Sequence, residues 1–244
     1  MLKDEMMNKW LKIVQHLGGL CLPLPCHCVM CLRPSKRDFA LCLSCETLLP
    51  WLKNPCPYCA LPLNSKTKDC HDCILKSPLF DRLEALFDYA YPLNDFMIRY
   101  KYHEKLYFSK ILGKLMAQHL KFTFPLDCIV AMPLHPLKQR KRGFNQTIEL
   151  AKIISNEINV PLDKWSCTKI INTPSQSSLS ARKRKTNISP KIFEVNKSFS
   201  AKHVLVIEDV VTTGVTVNAF TQALKAAKVE TVEIWACCRT DFPK

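Results

Sequence analysis

Residues 204–216 read Val-Leu-Val-Ile-Glu-Asp-Val-Val-Thr-Thr-Gly-Val-Thr: an apolar run, two adjacent carboxylates, then a short hydroxyl-rich loop. An apolar run bounded by turn residues is the pattern of a strand buried on both faces. A helix is predicted over 216–227, with Val217, Phe220, Leu224 and Ala227 on one face. The N-terminus of such a helix offers N–H groups and a positive dipole to a phosphate. Thr212, Thr213 and Thr216 add hydroxyl donors around Gly214, which allows close backbone approach. Glu208 and Asp209 fall at the carboxyl end of the strand, where α/β folds place ligand contacts. Paired acids there can accept hydrogen bonds from two ribose hydroxyls, with a magnesium ion held nearby. The competing reading, a plain turn in which threonines cap the helix, does not easily explain two carboxylates side by side.

The rest of the chain fits such a strand into a larger pattern. From Leu83 onward strands are predicted over 84–90, 128–132, 204–208 and 231–238. Helices are predicted over 94–119, with a break near Glu104, and over 145–157, ended by Pro161. Alternation of this kind implies an α/β fold with a mostly parallel sheet covered on both faces. The 244 residues are 48% hydrophobic, enough for a substantial core. The longest apolar runs fall short of the roughly 20 residues that a membrane-spanning helix needs, so no membrane span is expected.

Three segments are expected: 1–25, an N-terminal amphipathic helix; 26–78, a cysteine-rich module; and 79–244, the α/β domain. Met6, Met7, Trp10, Ile13, Val14 and Leu17 recur at helical spacing before Gly18 and Gly19. Such a helix packs on the body of a protein, or serves a membrane surface or a partner. Asp4 and Glu5 near the start are not the order of a secretion signal, and a cytoplasmic location is expected.

The cysteine-rich segment carries an internal repeat. Cys28-x-x-Cys31 is followed after ten residues by Cys42-x-x-Cys45, and Cys56-x-x-Cys59 after ten more by Cys70-x-x-Cys73. A CxxC turn points two thiolates at one metal, and two such knuckles complete a tetrahedron, the closed geometry of structural zinc. Disulfides do not suit a reducing compartment, and an iron–sulfur cluster wants other spacings. Cys21, Cys26, His27 and His71 are read as bystanders. Spacing alone leaves open whether consecutive or interleaved pairs share a metal.

A formal charge of +14 predicts attraction to polyanions without choosing among them. Lys138, Arg140, Lys141 and Arg142 crowd what reads as a loop after a buried strand, where a pyrophosphate or a nucleic-acid backbone could be neutralised. A solvated basic loop is the alternative. Residues 182–185 are a second cationic cluster, equally compatible with a closing loop and a solvated linker. Tyr100, Lys101 and Tyr102 can stack bases and touch phosphates, or pack in the core. His135 reads as a strand-end residue more readily than as a base.

The 204–216 segment resembles the fingerprint of the type I phosphoribosyltransferases. Met132-Pro-Leu-His-Pro136 leading to Arg142-Gly-Phe-Asn-Gln146, with Gln176 through Leu179 and Arg184 to Asn187, further resembles the ComF family. Those are competence-associated phosphoribosyltransferase-like proteins with an N-terminal double zinc ribbon. The resemblance implies a type I phosphoribosyltransferase fold behind a small zinc-ribbon domain. It implies catalytic roles for Glu208, Asp209 and Arg142. It places the phosphate of phosphoribosyl pyrophosphate at Val211, Thr212, Thr213, Gly214, Val215 and Thr216, under a mobile loop carrying Gln176 and Arg184. Structural zinc would sit on the eight paired cysteines, and magnesium would accompany the ligand. Implied partners are phosphoribosyl pyrophosphate, single-stranded DNA, and a helicase or DNA-uptake protein. A phosphoribosyltransferase and a non-catalytic nucleic-acid-binding or adaptor protein on the same fold both remain open.

Overall fold

A computed structural model describes residues 26–63, 70–75, 77–102, 107–173 and 192–240. The chain divides into two compact units, one ending at Cys45 and one beginning at Glu46. In the first, Cys28, Phe39, Leu41 and Cys45 are buried, and the Arg37 guanidinium lies 4.0 Å from the centre of the Phe39 ring.

In chain order the elements are α1 (Leu43–Glu46), α2 (His71–Leu75), β1 (Arg82–Asp88), α3 (Leu93–Tyr102), α4 (Tyr107–His119), β2 (Cys128–Ala131) and α5 (Pro136–Arg142). They continue as α6 (Gln146–Ile158), β3 (Leu162–Asp163), β4 (Cys167–Lys169), β5 (Phe193–Val195), β6 (His203–Val211), α7 (Val215–Ala226) and β7 (Thr231–Arg239). None of the described helices is long and apolar enough to cross a membrane.

Five strands form one sheet in the order β1-β7-β6-β2-β3, parallel throughout. The apolar run of β6 has its cause here: β6 is central, and residues 204–209 are all buried. Side chains alternate across a strand. Val204 and Val206 join Val217, Phe220 and Leu224 of α7 in one core, while Leu205, Ile207 and Asp209 face the other way, where α6 packs against β6. Gly113 of α4 lets that helix approach α6 closely, since an added Cβ would lie 2.8 Å from the Ile153 Cβ. β4 and β5 form a separate antiparallel hairpin.

The exposed edge of β1 is covered by the chain ahead of it, as an edge strand requires. Leu52 N–H donates to the Leu86 carbonyl (3.0 Å), and Asp88 N–H to the Pro50 carbonyl (2.8 Å). Trp51 rests its ring 4.8 Å from that of Phe87.

One sequence expectation needs correction. Residues 136–142, read as a basic loop, form helix α5, with Pro136 at its first turn, His135 as N-cap and Gly143 (φ 83°) closing it in the left-handed conformation. The basic side chains mask the pattern because no residue of α5 is buried. Of the two readings open for Tyr100, the structure takes core packing: the side chain is fully buried and donates its hydroxyl to the Gln146 carbonyl at 2.6 Å.

Candidate ligand-binding site

The strand order reverses between β2 and β6: the chain moves outward from β2 to β3 on one side, and from β6 to β7 to the other. Crevices at the carboxyl ends of strands flanking such a reversal are where open α/β sheets bind ligands. A cavity of about 330 Å³ lies there. Its walls include residues 132–134 after β2, residues 208–212 of β6 and its exit, and Gly214, Thr216 and Val217 at the start of α7. Lys101, Arg142, Asn145, Gln146 and Lys169 add to its polar lining.

The first wall is positioned by α6. Its N-cap, Asn145, accepts from Thr147 N–H at 3.1 Å and donates through Nδ2 to the Met132 carbonyl at 3.1 Å. The Thr147 hydroxyl donates to the same carbonyl at 2.8 Å. These bonds hold the helix start against the exit of β2, next to Arg142, whose guanidinium donates to the Gln146 side chain.

The acid pair lies within β6 rather than beyond it, and its two members differ. Asp209 accepts from Lys101 Nζ at 2.8 Å and from Gln146 Nε2 at 2.9 Å. Burial works against its charge, but the Lys101 ammonium and these hydrogen bonds outweigh burial and hold the carboxyl below its ordinary value. Glu208 accepts from Asp209 N–H at 2.9 Å. Burial, reinforced by the neighbouring Asp209 charge, pushes its carboxyl well above the ordinary glutamate value. One acid is therefore kept ionised and the other biased toward its neutral form.

The turn into α7 follows. Val211 closes β6, Gly214 is the N-cap in the left-handed conformation (φ 77°) with no side-chain cap, and Val215 N–H lies 3.4 Å from the Thr213 hydroxyl. Arg239, at the end of β7, donates through Nη1 to the Val211 carbonyl at 3.1 Å and to the Thr212 carbonyl. Thr240 also lines the cavity, and its hydroxyl has no partner among the described residues.

Cations gather at the same cavity. Burial, then repulsion from Lys138, lowers the Lys169 ammonium; burial, then repulsion from Arg142, lowers Lys138. Mutual repulsion of this kind is relieved by a bound anion. Lys169 sits on a three-residue strand whose partner lies more than twenty residues on, so nothing local in the sequence marks it. Gln176 and Arg184 lie outside the described residues, as does the amphipathic helix expected over the first 25.

The cysteines assemble as consecutive pairs: Cys28, Cys31, Cys42 and Cys45 in one cluster, and Cys56, Cys59, Cys70 and Cys73 in the other, with ligand atoms within 4.8 Å of one another in each. The repeat is structural as well as sequential. Leu32 N–H donates to the Cys28 carbonyl and Ala60 N–H to the Cys56 carbonyl, both at 2.9 Å. Leu32 and Ala60, each one residue past its knuckle, both take positive φ (62° and 53°). Sulfur–sulfur separations of 3.7 Å (Cys31 to Cys42) and 3.5 Å (Cys59 to Cys70) match the edge of about 3.8 Å that zinc–sulfur bonds of about 2.3 Å give a tetrahedron. They exceed the roughly 2.05 Å of a disulfide. Each cluster can therefore hold a metal ion.

Comparison with known proteins agrees with this arrangement. Residues 145–241 match the phosphoribosyl transferase domain. The DNA utilization protein YhgH of Shigella flexneri is 31% identical over 226 residues, covering 90% of this chain and 99% of that protein. Competence protein F of Haemophilus influenzae is 26% identical, with 87% and 95% covered, and competence protein ComFC of Streptococcus pneumoniae is 27% identical, with 83% and 89% covered.

Proposed function

This chain belongs to the ComF family, with a phosphoribosyltransferase domain behind paired cysteine clusters, and on that footing we propose that it binds phosphoribosyl pyrophosphate and acts in DNA utilization. One observation carries the reading. The acid pair, four residues of the turn (Val211, Thr212, Gly214 and Thr216, though not Thr213 or Val215) and the cations Lys101, Arg142 and Lys169 line one cavity at the switch point of the sheet. A phosphate at the start of α7, a ribose against Glu208 and Asp209, and a pyrophosphate toward Arg142 and Lys169 would each meet groups of suitable chemistry.

The protein groups present fit magnesium only in company with a ligand. Asp209 already has Lys101 as its cation, and Glu208 is biased toward the neutral acid. Magnesium is usually held by one or two carboxylates together with substrate phosphates. It would enter with the pyrophosphate and neutralise it. Zinc on the two cysteine clusters is the structural metal of this reading.

Single-stranded DNA is the macromolecular partner that we propose. The relatives named for DNA utilization and competence point that way, as does the exposed cationic face of Arg140 and Lys141 on α5. Charge reversal at these two positions should flatten the salt dependence of binding. Binding that is indifferent to salt would remove nucleic acid as a partner.

The ligand is tested by calorimetric titration of phosphoribosyl pyrophosphate, with and without magnesium, into wild type and the Glu208→Gln, Asp209→Asn double variant. Wild type binds and the folded double variant does not. Equal binding by both would make the 208–216 segment a structural turn and end this reading. Turnover with candidate acceptors separates a transferase from a binding protein that keeps the fold.

A further inference from the structure

Arg239 is buried, and no carboxylate of the described residues pairs with it. A guanidinium in that position needs hydrogen-bond acceptors or a compensating negative charge. Its Nε donates to the Cys59 carbonyl at 3.0 Å, in the first knuckle of the second cysteine cluster, while Nη1 donates to the carbonyls of Val211 and Thr212 at the ligand turn. One side chain thus spans the second cysteine cluster and the turn, both within the same compact unit. Four thiolates around a divalent metal leave a net negative charge beside it.

A second tie runs in parallel. Beyond the cluster, Leu79 N–H donates to the Asn218 side chain at 2.9 Å, and Asn218 lies in the first turn of α7. The knuckle is itself fixed to the sheet, because Leu83 N–H donates to the Tyr58 carbonyl at 3.0 Å. A change in the knuckle therefore has a rigid route to the N-terminus of α7.

We propose that Arg239 is a positioning residue coupling metal occupancy of the second cysteine cluster to the geometry of the turn at Val211–Thr216. Metal on Cys56, Cys59, Cys70 and Cys73 holds the Cys59 carbonyl and the local charge in place. Arg239 then holds the two turn carbonyls back, so that the N–H groups at the start of α7 face the cavity. Loss of that metal loosens the turn. Coupling between two sites is reciprocal, so a ligand at the turn tightens the metal by the same factor. The identity of that ligand rests on the reading above; the coupling itself does not.

The test uses the full chain loaded with zinc. Zinc release to excess chelator is followed with and without saturating phosphoribosyl pyrophosphate, in wild type, Arg239→Lys and Arg239→Met. Ligand should slow release of one of the two zinc ions in wild type by about tenfold, within the usual range of coupling. Arg239→Lys, which keeps the charge but loses the fork, should keep only part of that protection, and Arg239→Met none. Hydrogen exchange at residues 211–216 is measured on the same proteins before and after zinc removal. Faster exchange at the turn but not in β2 or α6, in zinc-depleted wild type and in zinc-loaded Arg239→Met, is the expected result. Unchanged exchange at the turn, or an increase spread equally through β2 and α6, overturns the coupling. Failure of zinc-loaded wild type to bind phosphoribosyl pyrophosphate would refute the ligand instead, and the exchange data would still decide the coupling.

Discussion

The Lys101 ammonium on α3 lies 2.8 Å from the Asp209 carboxylate on β6, so one of the two acids lining the cavity already carries its own counter-ion. Breaking a buried pair by removing one partner costs about 3–5 kcal/mol, because the remaining charge is uncompensated. Lys101→Met should lose about that much in urea denaturation near neutral pH. The sign follows from the lowered Asp209 carboxyl: its stabilisation is present above the unfolded carboxylate value and is lost as pH falls through the folded one. The gap between wild type and variant should therefore close on acidification. A gap that is independent of pH would mean that the pair contributes through packing alone.

Glu208 has the opposite sign. Its carboxyl is raised by burial and by the adjacent Asp209 charge, so the folded state holds its proton more tightly than the unfolded state does. The resulting stability is full below the ordinary glutamate value and is lost as pH rises through the folded one. Glu208→Gln keeps an oxygen for the Asp209 N–H but does not titrate. Its melting temperature relative to wild type should rise over the pH range above the ordinary glutamate value. A constant difference across that range would show that Glu208 is not biased toward its neutral form.

Two glycines separate ligand geometry from packing. At Gly214 an added Cβ has room, with its nearest neighbour, a Val217 methyl, 4.0 Å away, so Gly214→Ala pays only for its left-handed backbone, about 1–2 kcal/mol. It should also weaken phosphoribosyl pyrophosphate binding, because the turn shifts. At Gly113 the added Cβ would lie 2.8 Å from the Ile153 Cβ, and Gly113→Ala should cost about 1–3 kcal/mol with ligand affinity unchanged. Equal effects on affinity would mean that Gly214 is not part of the ligand site.

Elemental analysis of protein purified without chelator should find two zinc ions per chain, one for each four-thiolate cluster. Apparent binding of structural zinc is worth roughly 10–16 kcal/mol in small peptides, so chelation should unfold the knuckles. One ion per chain would leave one cluster unmetallated.

The parts legible in the sequence were those with a local chemical signature. The acid pair and turn are contiguous, the core face of α7 repeats at helical spacing, and each CxxC pair stands alone. Cluster membership needed the fold, because consecutive and interleaved pairings share the same spacings. Helix α5 was hidden for want of any buried residue, although Pro136 at its start and Gly143 at its end were available as punctuation. Tyr100 was ambiguous because an aromatic beside a lysine reads alike in a core and at a nucleic-acid surface; its neighbour Lys101 proved to be the partner of Asp209. Arg239 ends an apolar strand, and only the return of β7 beside β6 brings it to the Val211 and Thr212 carbonyls.

Phosphorus magnetic resonance of phosphoribosyl pyrophosphate, titrated with the zinc-loaded protein and magnesium, tests the central claim most directly because it reports on each phosphate separately. The account predicts that the 5-phosphate resonance shifts or broadens to saturation at one ligand per chain, and that Glu208→Gln with Asp209→Asn abolishes the effect. Resonances that stay unperturbed at saturating protein, or that respond equally in the double variant, would contradict it.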